Sequence, residues 1–393
     1  MSAVKVTPTE AQINQCQDNI NKFINSIRNN PDQRAGAWPY NKFHKPGEPI
    51  YGTVMMFHGF SSRPDQMWRL CDYLFNNGFN VYQAGLAGHP FIHAEVNWPN
   101  ISMKPEYRQP IVDTINQDPI LRDIFQSLGQ DNKSGEQKAP TLAQELKLVE
   151  RIVELNPIRL AEMIEALTHP KDKQFNDFFD SSHAHYLDYA RQRFQEIEPM
   201  PGDIYTVGLS VGGATAISLA EEYPERVKKI VAYAPLLKNI ETKGQEWQVD
   251  LIGSLNMLPP TNWNHMSFPV SCYSAINRFG DLVRSQENLE KIKNISTFLV
   301  LTDNDDAADI ETNQHFFQEI GGETGGNRYF EYNKADLVPH PMIDPTEESQ
   351  HLKNHFWKTL YQETYRFLTT GDVITNNMHK MEQDQNLPLV APL

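Results

Sequence analysis

The stretch that decides the fold reads Asp203-Ile204-Tyr205-Thr206-Val207-Gly208-Leu209-Ser210-Val211-Gly212-Gly213-Ala214-Thr215-Ala216-Ile217. A β-rich run bounded by Pro201-Gly202 enters a G-x-S-x-G pattern and leaves it as a run of small helix-formers. Strand, sharp turn and helix therefore follow one another without a loop between them. A serine at the apex of such a turn adopts a strained backbone. Glycines suit the flanking positions because larger side chains would strike the strand or the helix. The helix that begins beside the serine directs its free N–H groups and positive dipole end toward any anion forming there.

Working outward, Ile50 to Phe57 forms a buried-strand pattern ending in His58-Gly59-Phe60. A helix pattern follows from about Ser62 to Gly78, and a second strand, Asn80 to Leu86, closes a βαβ unit. Beyond the elbow, strand patterns recur at Lys228 to Pro235, Thr297 to Thr302 and Arg328 to Tyr332, with a helix at Ile310 to Ile320. The alternation predicts an α/β fold with a mostly parallel central sheet flanked by helices. At the N-terminus, Thr7, Pro8 and Glu10 read as a helix start. Ile13, Cys16, Ile20, Phe23, Ile24 and Ile27 then fall on one apolar stripe, as expected of a helix packed on the body. Asp344-Pro345-Thr346-Glu347 reads as the start of a last helix running to about Leu368.

Two stretches break the alternation. Residues 91–179 carry a polar section, then helix patterns from Thr141, capped on Gln144, to Leu155 and from Pro157 to Leu167. Residues 236–294 are irregular and hold Trp247, Met257, Leu258, Trp263, Met266 and Phe268. The expected division is an N-terminal helix and connector (1–49), a core (50–90 and 180–370), an inserted helical lid (91–179), a second small cap within the core (236–294) and a C-terminal tail (371–393). The aromatics and methionines of the second cap either line a pocket for an acyl chain or form the cap's own core.

Composition excludes several classes of function. Among 393 residues, 35 Lys and Arg stand against 50 Asp and Glu, a formal charge of −15 that repels nucleic acid and anionic lipid surfaces. Mean hydropathy is −0.55, and no apolar run reaches the length of a bilayer span. The N-terminus lacks a signal-peptide pattern, so a cytoplasmic protein is expected. Cys16, Cys71 and Cys272 lie far apart, with neither disulfide nor metal-ligand spacing. His351 and His355 lie one helical turn apart but lack a third ligand, so no metal site and no cofactor is expected.

A serine nucleophile needs a base to take its proton and an acid to orient that base, just past later strand ends in the order serine, acid, histidine. The strand at 297–302 empties into Asp303-Asn304-Asp305-Asp306-Ala307-Ala308-Asp309. The strand at 328–332 empties into a loop carrying His340. The other histidines fit less well. His183 and His185 precede the elbow strand, and His58 and His89 suit backbone hydrogen bonds near the pocket.

The His58-Gly59-Phe60 turn, the Gly208 to Gly213 elbow, the aspartate-rich loop and His340 together resemble the α/β-hydrolase fold. The resemblance is nearest to its carboxylesterase and monoacylglycerol-lipase or lysophospholipase-like members, over residues 50–90 and 180–370. It implies Ser210 as nucleophile, His340 as base and then acid, and the backbone N–H groups of Phe60 and Val211 as oxyanion hole. Laying Asp303 on the glycine of the family's Gly-x-x-Asp brings Asp306 onto the acid, with Asp305 as the alternative; Asp309 reads as a helix cap. The implied activity is hydrolysis of carboxylic esters of small-molecule or lipid-like substrates, medium- or long-chain acyl esters among them. Amide hydrolysis, acyl transfer or a non-catalytic binding role on the same fold are the alternatives. Oligomeric state has no signal in the sequence.

Overall fold

The computed structural model describes residues 3–123, 142–155, 159–168, 174–240, 246–258, 260–263 and 266–381. Seven strands form the central sheet: β1 (Tyr40–Lys42), β2 (Thr53–Phe57), β3 (Asn80–Gln83), β4 (Ile204–Leu209), β5 (Val227–Tyr233), β6 (Ser296–Thr302) and β7 (Arg328–Tyr332). Their order is β1-β3-β2-β4-β5-β6-β7, every pair parallel except the β1 edge on β3. β2 and β4 are buried along their whole length, as continuous apolar runs require of a parallel sheet covered on both faces. This is the expected mostly parallel sheet flanked by helices, with the elbow leaving central strand β4. The three-residue β1 is an addition. It lies in the connector and is half-buried at an antiparallel edge, too short to show a period.

Two apolar layers enclose the sheet. One packs the helix at His185–Ile197 and the elbow helix at Val211–Glu222 under β2, β4 and β5, and includes Ile20 and Ile24 of the N-terminal helix. The other packs the helices at Trp68–Asn76 and Trp357–Thr370 on the opposite face. The N-terminal helix spans Glu10–Arg28 and buries Ile13, Cys16, Ile20, Ile24 and Ile27. Its capping box lies two residues later than expected. The Thr9 hydroxyl accepts from the Gln12 N–H at 3.3 Å, and Gln12 Oε1 accepts from the Thr9 N–H at 3.0 Å.

The last helix begins at Trp357 rather than near Pro345. The Asp344 carboxylate accepts from Thr346 N and Oγ1 at 2.8 and 2.7 Å, which closes a local turn in place of a helix start. Past that helix the chain stays docked as far as Met378, which is fully buried against the second layer. The expected caps at Thr141 and Pro157 lie outside the described residues.

The two insertions share one core. An antiparallel ribbon, Ile101–Met103 on Phe179–Ser181, ties the ends of the first together. Ile111, Ile115, Leu148, Ile152, Met163 and Phe178 of that insertion pack with Leu251, Ile252 and Leu255 of the second. The helix at Ser271–Val283 bridges the two cores, placing Ala275 with the insertions' cluster and Ile276, Phe279 and Val283 in the core under the sheet. Among the described residues no helix is long and apolar enough to cross a membrane.

Candidate active site

The elbow glycines are demanded by contact distances. A Cβ on Gly208 would stand 2.0 Å from the Gly212 carbonyl oxygen, and one on Gly212 would stand 2.2 Å from that of Phe57. Removing both side chains lets the helix start pack directly on strands β4 and β2. Ser210 takes φ +59° and ψ −126°, a region that costs an L residue roughly 1–3 kcal/mol. Four bonds hold it there: Ser210 N–H donates to the Tyr233 carbonyl at 2.9 Å, and the Ser210 carbonyl accepts from Gly213, Ala214 and Leu236 N–H at 2.8–3.1 Å. The serine is 4% exposed and lines a cavity of about 700 Å³.

His340 lines the same cavity from the loop after β7. Its Nδ1 donates to a carboxylate oxygen at 2.9 Å, and the carboxylate belongs to Asp305. This corrects the expected Asp306, whose side chain instead accepts from the Ser349 hydroxyl. The turn geometry explains the difference. Asp305 Oδ1 accepts from Ala307 N and Ala308 N at 2.8 and 2.7 Å, which fixes the carboxylate with both oxygens 2.9 Å from His340 Nδ1. Asp309 caps the following helix through Thr312 N at 2.9 Å, as expected. Burial favours neutral imidazole, yet the Asp305 charge and hydrogen bond, with Asp306 and Glu347 beyond, outweigh it and hold the His340 pKa above its ordinary 6.5.

The expected oxyanion donors flank the serine. Val211 N–H occupies the first position of the elbow helix, where helical geometry offers no acceptor. Phe60 N–H has no backbone acceptor among the described residues. The turn carrying Phe60 is pinned at three points: Gly59 N–H donates to Gln66 Oε1 at 2.7 Å, and the Arg34 guanidinium donates to the Ser61 and Ser62 carbonyls, both at 2.9 Å. The Phe60 ring stands edge-on to Trp98, Phe268 and His89, which packs this turn against the cap.

The cavity lining mixes apolar and charged groups. Trp68, Leu236 and Tyr273 supply apolar surface, while Arg34, Arg63, Asp65, Gln66, Asp344 and Glu347 supply much of the rest. Trp247, Met257 and Leu258 pack into the cap core, and Met266 and Phe268 join the cluster around Trp98. The side chain of Trp263 lies outside the described residues.

The remaining candidates take structural places. His58 Nδ1 donates to the Gly59 carbonyl at 2.8 Å and His89 Nδ1 to that of Ala87 at 2.9 Å. Burial drives the His58 pKa down to about 3 and that of His89 well below its usual value. His183 Nδ1 meets the Ser181 hydroxyl at 2.8 Å beside the ribbon. Cys16, Cys71 and Cys272 are buried, and burial pushes all three thiols above their ordinary value. Among the described residues no cluster of histidine, cysteine and carboxylates could hold a metal ion. Sequence reasoning passed over Gln66 and Arg34 and read Glu347 only as part of a helix start; the three line one cavity through the fold.

No protein-family model and no curated protein sequence matches this chain. Solved structures similar to it include one of two metagenome-derived lipolytic enzymes, at 11% identity over 85% of this chain and 98% of that one, with a TM-score of 0.45. Another is a monoglyceride lipase from Saccharomyces cerevisiae, at 11% identity over 88% and 99%, with a TM-score of 0.44. A third is a monoacylglycerol lipase from Paleococcus ferrophilus, at 13% identity over 85% and 99%, with a TM-score of 0.42. Identities and scores this low do not bear on activity.

Proposed function

We propose that this chain is a serine hydrolase that cleaves carboxylic esters through an acyl-Ser210 intermediate. The observation that carries the reading is that the strained Ser210 elbow and His340, which is hydrogen-bonded to the buried Asp305, open onto one cavity. In the first half-reaction the Ser210 hydroxyl proton passes to His340 Nε2 while Oγ attacks the ester carbonyl. Phe60 and Val211 N–H groups take the oxyanion, the C–O bond to the alcohol breaks, and His340 gives its proton to the departing oxygen. Water then loses a proton to His340 as its oxygen attacks the acyl carbon; the bond to Ser210 Oγ breaks, Oγ takes the proton back from His340, and the acid departs. Asp305 accepts from Nδ1–H, and in this reading that leaves Nε2 free to take the serine proton.

On substrate, a cavity of about 700 Å³ has room for a small-molecule ester. Its lining joins apolar surface from Phe60, Trp68, Leu236 and Tyr273 to charged and amide groups, which suits an ester with one apolar and one polar part. We take residues 91–179 and 236–294 together as one cap over a hydrolase core.

Intact-mass spectrometry after fluorophosphonate treatment tests the assignment. A single adduct is expected on the wild type and none on Ser210→Ala, which also loses ester turnover. An adduct of equal yield on folded Ser210→Ala would sink the reading.

A further inference from the structure

The proposed triad and oxyanion donors leave unused a hydrogen-bonded bridge across the wall of the same cavity. Gln66 sits on the short turn Pro64–Met67. Its Oε1 accepts from the Gly59 N–H at 2.7 Å, and its Nε2 donates to Glu347 Oε2 at 2.7 Å. At one end of the bridge, Gly59 immediately precedes Phe60, and a Cβ built on it would stand 3.6 Å from Ser210 Cβ. At the other end, Glu347 lies on the loop that carries His340 and lines the cavity beside it. A carboxamide suits the middle because it accepts with one atom and donates with the other in a fixed plane, without charge. No ion pair joins Glu347 to a cation among the described residues, in contrast to Asp344 with Arg69 and Glu348 with Lys353.

We propose that Gln66 and Glu347 are positioning residues: the bridge clamps the Gly59–Phe60 turn against the serine elbow and holds the Glu347 carboxylate on the cavity wall it shares with His340. The clamp rests on the esterase reading above; the effect of the carboxylate on His340 does not. Three carboxylates act on His340, those of Asp305, Asp306 and Glu347. Glu347 is itself pushed up to about 7 by burial and by Asp344 and Asp65, against the Gln66 hydrogen bond and the His340 charge. Glu347 and His340 thus act on each other's titration, and the acid limb of the pH–rate profile reports both groups.

Two variants separate the roles. Glu347→Gln keeps an acceptor for Gln66 Nε2 and removes the charge. The His340 titration, followed by NMR, and the acid limb of kcat/KM should both move to lower pH by about half a unit or more. Gln66→Met keeps the length and loses both hydrogen bonds. There kcat should fall about tenfold or more with KM within about twofold, because a misplaced oxyanion donor is felt only in the transition state. If Gln66→Met loses its cooperative unfolding transition, Gln66→Glu replaces it. That variant lacks the donor and adds a like charge, so kcat falls and the limb moves up.

An unmoved His340 titration in Glu347→Gln overturns the electrostatic role, and wild-type kcat in the Gln66 variant overturns the clamp. A wild type that takes no fluorophosphonate and hydrolyses no ester overturns the esterase reading and the clamp with it. The NMR titration then still decides whether Glu347 governs His340.

Discussion

His58 and His340 stand on loops that leave two strands of one sheet, both almost wholly withdrawn from water, and their charge preferences are opposite. His58 meets a neutral acceptor, the Gly59 carbonyl, and burial drives its pKa down to about 3. His340 suffers the same burial but faces Asp305 directly, with Asp306 and Glu347 behind, and its pKa is raised. Burial alone therefore makes an imidazole inert. A carboxylate on Nδ1 makes one that can accept a proton and stabilise the charge it gains.

The largest effect that would break this contrast lies at Asp305. Asp305→Asn keeps the shape but removes the charge, and the amide can present its N–H to Nδ1 and so select the wrong tautomer. A fall in kcat of about 10³–10⁴ is expected. Asp306→Asn, one residue on, keeps an acceptor for Ser349 and should stay within about tenfold of wild type. Steady-state kinetics on one ester decide it, and a larger loss at Asp306 than at Asp305 would reverse the assignment.

That pair also marks where the sequence stops being legible. The Ser210 elbow is readable because Gly208 answers to a 2.0 Å collision inside the turn itself and Gly212 to one at 2.2 Å with the neighbouring strand, and any strand–turn–helix of this kind meets both. His340 is readable because chain order and strand ends confine it to one loop. Between Asp305 and Asp306 the choice turns on which carboxylate folds back onto the Ala307 and Ala308 N–H groups, and spacing cannot reveal that. The cap is hidden for a different reason. Ile152 and Leu251 share a core across about a hundred residues of sequence, and apolar periodicity shows that each helix has a buried face without saying what covers it. Gln66 and Glu347 stand 281 positions apart, and no pattern joins them.

A second test extends the contrast to a carboxyl group without a partner. Glu221, on the elbow helix, is 3% exposed with neither oxygen hydrogen-bonded, and burial raises its pKa well above 4.5 against a weak pull from Lys291. The folded protein thus holds a proton there that the unfolded chain releases. Stability should fall as pH rises from about 4.5 toward the raised value, by up to about 1.4 kcal/mol per unit. Glu221→Gln has no proton to lose and should flatten that part of the profile. Urea unfolding of both proteins at pH 5 and pH 8 measures the difference, and parallel profiles would show that Glu221 finds a partner in solution.

The smallest effect concerns the direction of the pH dependence at His340 itself. Esterolysis needs neutral imidazole, so with the folded pKa above 6.5 the acid limb of kcat/KM should centre above 6.5, activity rising with pH through it. Stability runs the other way. The interaction that raises this pKa contributes fully below the unfolded value of about 6.5 and is lost as pH rises through the folded value. Over that window the protein should gain activity while losing a little stability, and His340→Gln should remove the His340 share of the stability change. An acid limb centred below 6.5 would mean that burial outweighs the carboxylates at His340 as it does at His58, and the contrast between the two loops would collapse.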